Sequence, residues 1–252
     1  MILTQTKIGN AKVVVDILPR GKVIPNTKIN PTSITIHNTG NIGAPAKNNH
    51  NYMKNCNKNG DRIASWHFTV DDKEIYQAVP SDYKAYHAGN GTGNNSSIGI
   101  EICMFNDAER MKQTYLNAIE LVKILMKEHG LNIGQIKQHY NWTKKDCPTW
   151  LRSGKFGFDW KWFTAQCSGQ VVKYAAPSPV PNSTFKPYLA KANVDDLNGR
   201  KGAGMNFNIE TKLAKGTAIT IVEQKMNGTT KWLKTKSGYW IAAKYVDFIK
   251  YV

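Results

Sequence analysis

A histidine and a cysteine, two side chains that zinc accepts as ligands, stand eight residues apart in the segment QHYNWTKKDCPTW, residues 138–150. They are His139 and Cys147, and Lys145 lies between them. A catalytic zinc site uses three protein ligands and keeps a fourth position open. We predict His37, at the end of the apolar run ITIH, as the third ligand. The spacing alone leaves an alternative open, because a histidine and a cysteine in a loop are more often packing and surface residues.

A carboxylate interrupts the otherwise apolar run SIGIEIC, residues 97–103. This residue is Glu101, and burial would raise its pKa towards the range that suits a general base. Zinc lowers the pKa of water and polarises a carbonyl group, so a base is what the predicted site still needs. We predict that Glu101 is this base and that Lys145 stabilises an oxyanion. The alternatives are a position at a strand edge or a buried ion pair for Glu101, and a solvated charge for Lys145.

The other histidines and cysteines have weaker signals. His67 and His87 are predicted to line the same cleft, either as substrate-binding groups or as hydrogen-bonded supports of the ligands. His129 ends a long helical pattern, where an imidazole suits the helix dipole, and His50 is expected to be exposed on an Asn-rich helix. The remaining cysteines have no ligand spacing and are expected to be thiols: Cys56, Cys103 and Cys167.

Strands and helices must position these groups. SITIH predicts a strand that becomes loop after His37, and residues 45–59 predict a helix with Tyr52, Met53 and Cys56 inward. SWHFTV and IYQAV predict a hairpin with Trp66 and Phe68 on one face. Further patterns predict a strand over 97–103, a helix from Glu109 to His129 ended by Gly130, a short strand before His139, a loop from His139 to Cys147, and a helix over 158–167. The fold class expected is α/β, a mixed central sheet flanked by helices.

The composition changes after residue 167. Residues 168–187 contain four of the ten prolines and predict a linker, and residues 188–252 contain short alternating runs separated by NG, KG and SG turns. We therefore predict a catalytic domain over 1–167, a linker over 168–187 and a small all-β, SH3-like barrel over 188–252.

The formal charge of +16 is divided evenly, since residues 1–167 carry 21 basic and 13 acidic groups and the remainder 13 and 5. Without a basic run or arm, this distribution favours long-range attraction to an anionic polymer such as wall teichoic acid over binding to nucleic acid. No run approaches the roughly 18 to 20 apolar residues of a membrane span, so membrane insertion is not expected.

Five separated motifs resemble the zinc N-acetylmuramoyl-L-alanine amidases of the type-2 class, which include many phage endolysins and share their fold with the peptidoglycan recognition proteins. The motifs are HNT at 37–39, SWHFTVDDKEIYQAVP at 65–80, YHAG at 86–89, SIGIEIC at 97–103 and H-x7-C-P at 139–148. The resemblance covers about residues 30–165. It implies a Zn²⁺ site at His37, His139 and Cys147, with Glu101 and Lys145 at positions that family members use in catalysis.

One residue departs from that pattern. Some relatives have a tyrosine just before the histidine of the hairpin, where this chain has Trp66, which we predict to be a substrate-binding residue. An indole cannot donate a phenolic proton, so any role of that tyrosine is vacant or belongs to another group.

The tail, residues 188–252, resembles a bacterial SH3 domain, the wall-binding module of many endolysins. LNGRKGAG keeps the Leu-Asn-x-Arg pattern but has Gly199 where an apolar residue is usual. Trp232, Tyr239 and Trp240 are the candidate wall-binding residues, with core packing as the alternative for each.

The resemblance implies a peptidoglycan hydrolase that cuts the amide between N-acetylmuramic acid and the L-alanine of the stem peptide in a Gram-positive wall. The N-terminus MILTQTKIGNAK lacks the pattern of a signal peptide. We therefore expect the protein to stay in the host bacterial cytoplasm until it is released, and then to act at the cell wall. The alternatives are an autolysin with the same chemistry, a cytosolic amidase acting on soluble muropeptides, and a recognition protein that binds peptidoglycan without cutting it.

Overall fold

Two seven-stranded β-sheets organise the computed structural model, which describes residues 1–170, 185–205, 207–227 and 230–252. Each sheet belongs to its own unit, Met1–Pro177 or Ser178–Val252. The boundary between the units falls inside the segment predicted as a linker, residues 168–187, most of which lies outside the described residues.

The first unit contains a mixed sheet. Its strands are β1 (Lys7–Ile8), β2 (Ala11–Val15), β3 (Ser33–Ile42), β4 (Phe68–Val70), β5 (Glu74–Gln77), β6 (Ser97–Met104) and β7 (Ile136–Gln138). They lie in the order β1-β2-β5-β4-β6-β3-β7, and only the pairs β1/β2 and β4/β5 are antiparallel. The interior strand β6 is buried at every position except Glu101, as expected of a strand covered on both faces.

Six α-helices accompany this sheet. They are α1 (Ala46–Asn59), α2 (Gly91–Ser96), α3 (Ala108–His129), α4 (His139–Thr143), α5 (Thr149–Ser153) and α6 (Trp160–Cys167), with 3-10 turns at Ile133–Gln135 and Lys155–Gly157. The predicted α/β class, with a mixed sheet and packed helices, is confirmed.

The long helix α3 forms where its periodicity and its end signals predicted it. The Asp107 side chain accepts a hydrogen bond from the Arg110 backbone N–H at the start, and Gly130 takes the left-handed conformation, with φ 62°, at the end. Its apolar face packs on β6 and α6, and the ring centroids of Tyr115 and Trp162 of α6 are 6.2 Å apart.

Several predicted details are wrong. Strand β3 continues past His37 to Ile42, which pairs with Met104 across an irregular register, so part of the predicted loop is strand. The segment after His139 begins as helix α4 instead of a loop. The buried positions of α1 are Ala46, Asn49, His50, Met53, Cys56 and Asn57. This face repeats every three to four residues, so Tyr52 points outward and is 45% exposed. His50 instead points inward and is hydrogen-bonded to Asp16.

The second unit is all antiparallel. Its strands are β8 (Tyr188–Ala192), β9 (Leu197–Arg200), β10 (Ile209–Leu213), β11 (Ala218–Asn227), β12 (Thr230–Thr235), β13 (Trp240–Ala242) and β14 (Val246–Tyr251), in the order β10-β9-β13-β12-β11-β8-β14. The core residues come from alternate strand positions, as in any half-buried sheet: Ala190, Ala192, Leu197, Ile219, Ile221, Leu233 and Ile241. The expected small all-β unit is therefore observed.

Gly199 is explained by a close approach in this sheet. A Cβ atom there would lie 2.7 Å from the Tyr239 ring and 2.6 Å from a methyl carbon of Thr211. An apolar side chain at position 199 would displace the Tyr239 ring, which packs against the core. The glycine therefore stands at this position because the ring occupies the space that a side chain would need.

None of the helices in the described part of the chain combines the length and apolar content that a membrane span requires.

Candidate active site

The three predicted metal ligands meet in the first unit. His37 lies on β3, His139 is the first residue of α4, and Cys147 lies two residues before α5. His37 Nδ1 is 3.1 Å from His139 Nδ1 and 3.8 Å from Cys147 Sγ. One ligand atom from each residue lies within 4.8 Å of the others, and all three side chains are buried. The fold thus brings together residues about a hundred positions apart.

The donor set fits zinc. A tetrahedral zinc ion with bonds of about 2.0 to 2.3 Å separates its ligand atoms by about 3.3 to 3.6 Å, close to the two distances from His37 Nδ1. Burial keeps the pKa of His37 well below its usual value and lowers the pKa of His139 to about 4, with Lys145 contributing at His139, so both imidazoles are neutral at pH 7 and can offer a lone pair.

Cys147 is the ligand that requires a cation. Burial, with a contribution from the negative charge of Glu101, raises the pKa of its thiol to about 12. A nearby positive ion reverses this effect because it stabilises the thiolate. The Asn38 backbone N–H, 3.5 Å from Sγ, also donates towards the sulfur. A nitrogen, nitrogen and sulfur set of this kind suits a metal that accepts thiolate, and zinc is the common example.

The order of strands places these groups. Strand β3 lies between β6 and β7, with His37 opposite Glu101 and Ile36 opposite Gln138. Paired residues of neighbouring strands direct their side chains to the same face of a sheet. Glu101 therefore lies beside His37, and His139 follows directly from the end of β7.

The segment between the second and third ligands is held by its own contacts. The Tyr140 backbone N–H donates to the Cys147 carbonyl at 3.0 Å. The Arg152 guanidinium donates to Asp146 at 2.6 Å and to Gln138 at 2.7 Å, and it lies 3.8 Å from the centre of the Tyr140 ring. These contacts fix the distance between His139 and Cys147 without a regular strand.

Glu101 is partly buried at the wall of the cleft. Its Oε2 atom is buried and has no hydrogen-bond partner among the described residues. Burial raises the pKa of the carboxyl group to about 8, against the opposing charges of Lys145 and Arg62. Within the described ranges Glu101 forms no ion pair, so the alternative reading as a buried salt bridge is not supported there. This carboxylate has the environment of a proton acceptor that works near neutral pH.

Lys145 is exposed and lines the same cleft. Its side chain has no hydrogen bond or ion pair with any residue that the structure describes. Its positive charge contributes to the lowered pKa of His139 and opposes the increase in the pKa of Glu101 that burial causes. The ammonium group is therefore near the predicted ligands and available to an anionic group in the cleft.

The residues predicted to bind substrate divide into two groups. Trp66 and His87 line the cleft, but the Trp66 indole N–H donates to Thr69 Oγ1 at 2.6 Å and is not available to a substrate. His67 does not reach the cleft, so its assignment to substrate binding is corrected. It is fully buried, with Nδ1 accepting from the Gly99 backbone N–H at 2.8 Å and Nε2 donating to the Tyr83 carbonyl at 2.7 Å.

The cleft has a volume of about 700 Å³ and includes side chains that the sequence patterns did not single out. Tyr52 and Tyr86 both line the cleft together with Trp66. Each has a phenol group, which Trp66 lacks at the position where some relatives have a tyrosine. Tyr86 directly precedes His87 in the YHAG motif, so motif adjacency was an available signal. Tyr52 was missed because the α1 pattern was interpreted with that residue inward. Arg62, just beyond α1, adds a positive charge to the lining.

One of the three candidate wall-binding aromatics, Trp232, lines a cavity in the described part of the second unit. Trp232 is buried at a cavity of about 510 Å³ that Tyr245, Met205 and Lys244 also line. Tyr239 and Trp240 are not among its lining residues. Tyr239 packs over Gly199, and the Lys234 ammonium lies 5.8 Å from the Trp240 ring centre.

Comparison with known proteins gives a consistent match. Residues 27–150 match the N-acetylmuramoyl-L-alanine amidase family Amidase_2. The N-acetylmuramoyl-L-alanine amidase XlyA of Bacillus subtilis (strain 168) is 43% identical over 141 residues, which are 54% of this chain and 46% of XlyA. The amidase CwlH of the same strain is 39% identical over 184 residues, which are 69% of this chain and 70% of CwlH.

A solved structure gives the same answer for the first unit. The catalytic domain of XlyA is 38% identical, with a TM-score of 0.55, and the match covers 62% of this chain and 99% of that domain. The chain thus spans about half the length of XlyA but nearly all of its catalytic domain. From the fold, the ligand geometry and these matches, the chain belongs to the N-acetylmuramoyl-L-alanine amidase family.

Proposed function

We propose that this chain is a zinc-dependent peptidoglycan hydrolase that cleaves the amide between N-acetylmuramic acid and the L-alanine of the stem peptide. One observation carries the proposal: Glu101 lies opposite His37 in a cleft that also contains His139 and Cys147, and one of its carboxylate oxygens is buried with no hydrogen-bond partner in the described part of the chain. A base beside a three-ligand site is an arrangement that suits metal-assisted hydrolysis of an amide.

His37, His139 and Cys147 would hold the metal. When bound, zinc supplies Lewis acidity, which polarises the scissile carbonyl and makes water a stronger acid. Glu101 accepts a proton from the attacking water, whose oxygen forms the new bond to the carbonyl carbon. The Lys145 ammonium stabilises the negative charge that develops on the carbonyl oxygen. Glu101 then returns its proton to the departing nitrogen as the carbon–nitrogen bond breaks, which leaves a lactyl carboxylate and a free L-alanine amine.

The exposed rim of the cleft supports an extended, polar substrate. Asn41, Arg62 and Tyr86 line the cleft together with the exposed Ile63. A stem peptide presents carboxylates and amides to such a surface, and Arg62 is suited to a carboxylate because its fork of donors matches the two oxygens. A non-catalytic recognition protein has less support, because Cys147 and Glu101 are both in place.

We propose that the second unit binds the cell wall and that the protein acts as an endolysin on a Gram-positive wall, after release from the host cytoplasm. The cavity beside Trp232 is the concave surface of this unit that could receive a wall ligand. Attachment there would raise the substrate concentration at the catalytic unit. Residues after 167 include 13 basic and 5 acidic groups, and this positive charge would attract the protein to an anionic polymer such as wall teichoic acid.

The test is digestion of purified Gram-positive walls with and without a zinc chelator. We expect new N-terminal alanine without new reducing sugar ends, loss of this product after chelation, and its return when Zn²⁺ is added. New reducing ends would indicate a glycosidase, and activity indifferent to metal removal would refute zinc dependence.

A further inference from the structure

Four histidines follow one another through the interior of the first unit. The ring centroids of His67 and His87 are 5.7 Å apart, those of His87 and His37 are 5.2 Å apart, and those of His37 and His139 are 4.8 Å apart. Only the last two belong to the predicted metal site. His87 therefore lies between a fully buried structural histidine and a metal ligand.

Both ring nitrogens of His87 have protein partners. Nε2 lies 3.0 Å from the Ser97 carbonyl oxygen, and Nδ1 lies 3.0 Å from His37 Nε2. A carbonyl oxygen can only accept, so His87 Nε2 carries a proton and donates it to Ser97. In a neutral imidazole the other nitrogen is then an acceptor, so His87 Nδ1 accepts from His37 Nε2–H.

This order of donors fixes the proton on His37. With the proton on Nε2, the lone pair of His37 is on Nδ1, which is the atom 3.1 Å from His139 Nδ1 and 3.8 Å from Cys147 Sγ. We propose that His87 is a positioning residue. Its hydrogen bond to the Ser97 carbonyl fixes its own proton on Nε2, and its Nδ1 then holds His37 in the tautomer and orientation that direct His37 Nδ1 to the metal.

Burial maintains this arrangement. The His87 side chain is buried, with only 7% of its surface exposed, so water does not compete for the hydrogen bonds of its two ring nitrogens. No other assignment of its protons satisfies the Ser97 carbonyl with a neutral ring. A histidine ligand whose second nitrogen has a fixed hydrogen-bond partner binds metal more tightly, typically by 10- to 100-fold.

Strand β6 supplies the surface on which His87 rests. A Cβ atom at Gly99 would lie 2.5 Å from Cγ of the His87 ring, so the absence of a side chain there makes room for the imidazole. The same glycine donates its backbone N–H to His67 Nδ1 and accepts from the His67 backbone N–H at 3.0 Å. His67 thus holds the backbone of Gly99 in place, and Gly99 leaves space for the His87 ring. His87 in turn orients His37.

The experiment measures Zn²⁺ affinity by competition with a chromogenic chelator at one pH. We expect His87→Ala to weaken Zn²⁺ binding by about 10- to 100-fold. His87→Gln should restore most of the affinity, because its amide can donate to Ser97 and its carbonyl can accept from His37. Gly99→Ala should weaken binding as well, since it moves the His87 ring without removing a polar group.

A matched control separates orientation from general damage. His50 is as buried as His87 and is hydrogen-bonded to Asp16, away from the cleft. His50→Ala should lower the melting temperature of the metal-free protein and leave Zn²⁺ affinity unchanged. Unchanged affinity in His87→Ala would overturn the role of His87, and so would an equal loss in His87→Gln and His87→Ala.

A second readout needs no metal. Nitrogen-15 spectra of the imidazoles in metal-free protein should show His37 as the Nε2–H tautomer in the wild type and a mixture of tautomers in His87→Ala. A wild-type His37 protonated on Nδ1 would overturn the inference. The inference rests on the proposed metal site, and the two can fail separately: a wild type that binds no Zn²⁺ refutes the site, whereas a wild type that binds Zn²⁺ as tightly as His87→Ala refutes only the positioning role.

Discussion

Glu101 lies directly opposite His37 in the parallel pairing of β6 with β3. Because paired residues share a face of the sheet, the register that completes the core also places the proposed base beside the first proposed metal ligand. The carboxylate is there without a compensating ion pair in the described part of the chain. The contrast between a partly buried acid, with no ion pair in the described residues, and its apolar strand is the clearest mark of function in this unit.

The proposed base can be removed without removing the ligands. Glu101→Gln keeps the shape of the side chain and abolishes its proton affinity, so we expect turnover on purified walls to fall by about 10² to 10⁴-fold. Zn²⁺ content measured by mass spectrometry should stay near that of the wild type. The control is Glu120→Gln on the exposed face of α3, which should leave turnover unchanged. A fully active Glu101→Gln variant would exclude this residue as the base.

The same substitution changes the pH dependence of stability. The pKa of Glu101 is about 8 in the folded chain against 4.5 usually, so the folded state keeps a proton that the unfolded state has lost between these values. The stability that comes from this group is complete below pH 4.5 and is lost as the pH rises through 8. We expect metal-free Glu101→Gln to gain stability over the wild type from pH 5 to pH 8.5, by up to a few kcal/mol. Melting curves check this, and a constant difference across the range would contradict it.

The thiol ligand has its own test. Cys147→Ser should lose most Zn²⁺ affinity, since a serine hydroxyl is a poor substitute for a thiolate, and lysis should be lost with it. Wall sedimentation should change little. Cys167→Ser is the matched control, because Cys167 on α6 is also a buried free thiol but lies outside the cleft. Full activity in Cys147→Ser would remove this cysteine from the site.

The proposed oxyanion group can be compared with its neighbour in the chain. Lys145→Met should lower turnover by about 10² to 10³-fold, the usual effect of removing one such donor, with unchanged Zn²⁺ affinity. Lys144→Met is the control. Lys144 has the same charge but ends α4 in the left-handed conformation, with its ammonium 5.1 Å from the Tyr140 ring centre. Equal turnover rates in the two variants would mean that Lys145 is a solvated charge without a role in catalysis.

Wall attachment should depend on the second unit and on its cavity. Deleting residues 168–252 should reduce the fraction of protein that sediments with walls. The double substitution Met205→Ser and Lys244→Ser, at two exposed positions of the cavity lining, should reduce it several-fold. Phe248→Ser, which changes an exposed aromatic on β14 that does not line the cavity, should not. The opposite ranking would place the binding surface on β14, and unchanged binding after the deletion would refute the role of the unit.

The sequence predicted those parts of the site that have a local signature. Alternation in SIGIEIC located Glu101 in the middle of an apolar strand, and ordered motifs joined His37 to His139 and Cys147. The register of β3 with β6, which sets the neighbours in space, has no signature in either strand alone. His67 was misassigned for a related reason. Its two backbone partners, Gly99 and Tyr83, come from distant segments that only the folded chain brings together.

Helix α2, over Gly91–Ser96, was missed because GTGNNS contains no apolar periodicity. It forms because Asn90 caps it, accepting from the Gly93 backbone N–H at 2.8 Å. The Asn90 amide also donates to the Trp142 carbonyl at 3.0 Å and so ties this helix to α4. Such contacts decide local structure where propensity is weak.

Strand β7 is three residues long and forms the edge of the first sheet, yet one proposed ligand, His139, follows it directly and another, Cys147, lies nine residues beyond its end. The proposed metal centre is therefore completed only when the last strand docks onto β3. A nascent chain that has not reached residue 139 contains the base and one imidazole but cannot form this three-ligand centre. Bound zinc would in turn link that short edge strand to β3, so metal binding would stabilise this edge of the sheet.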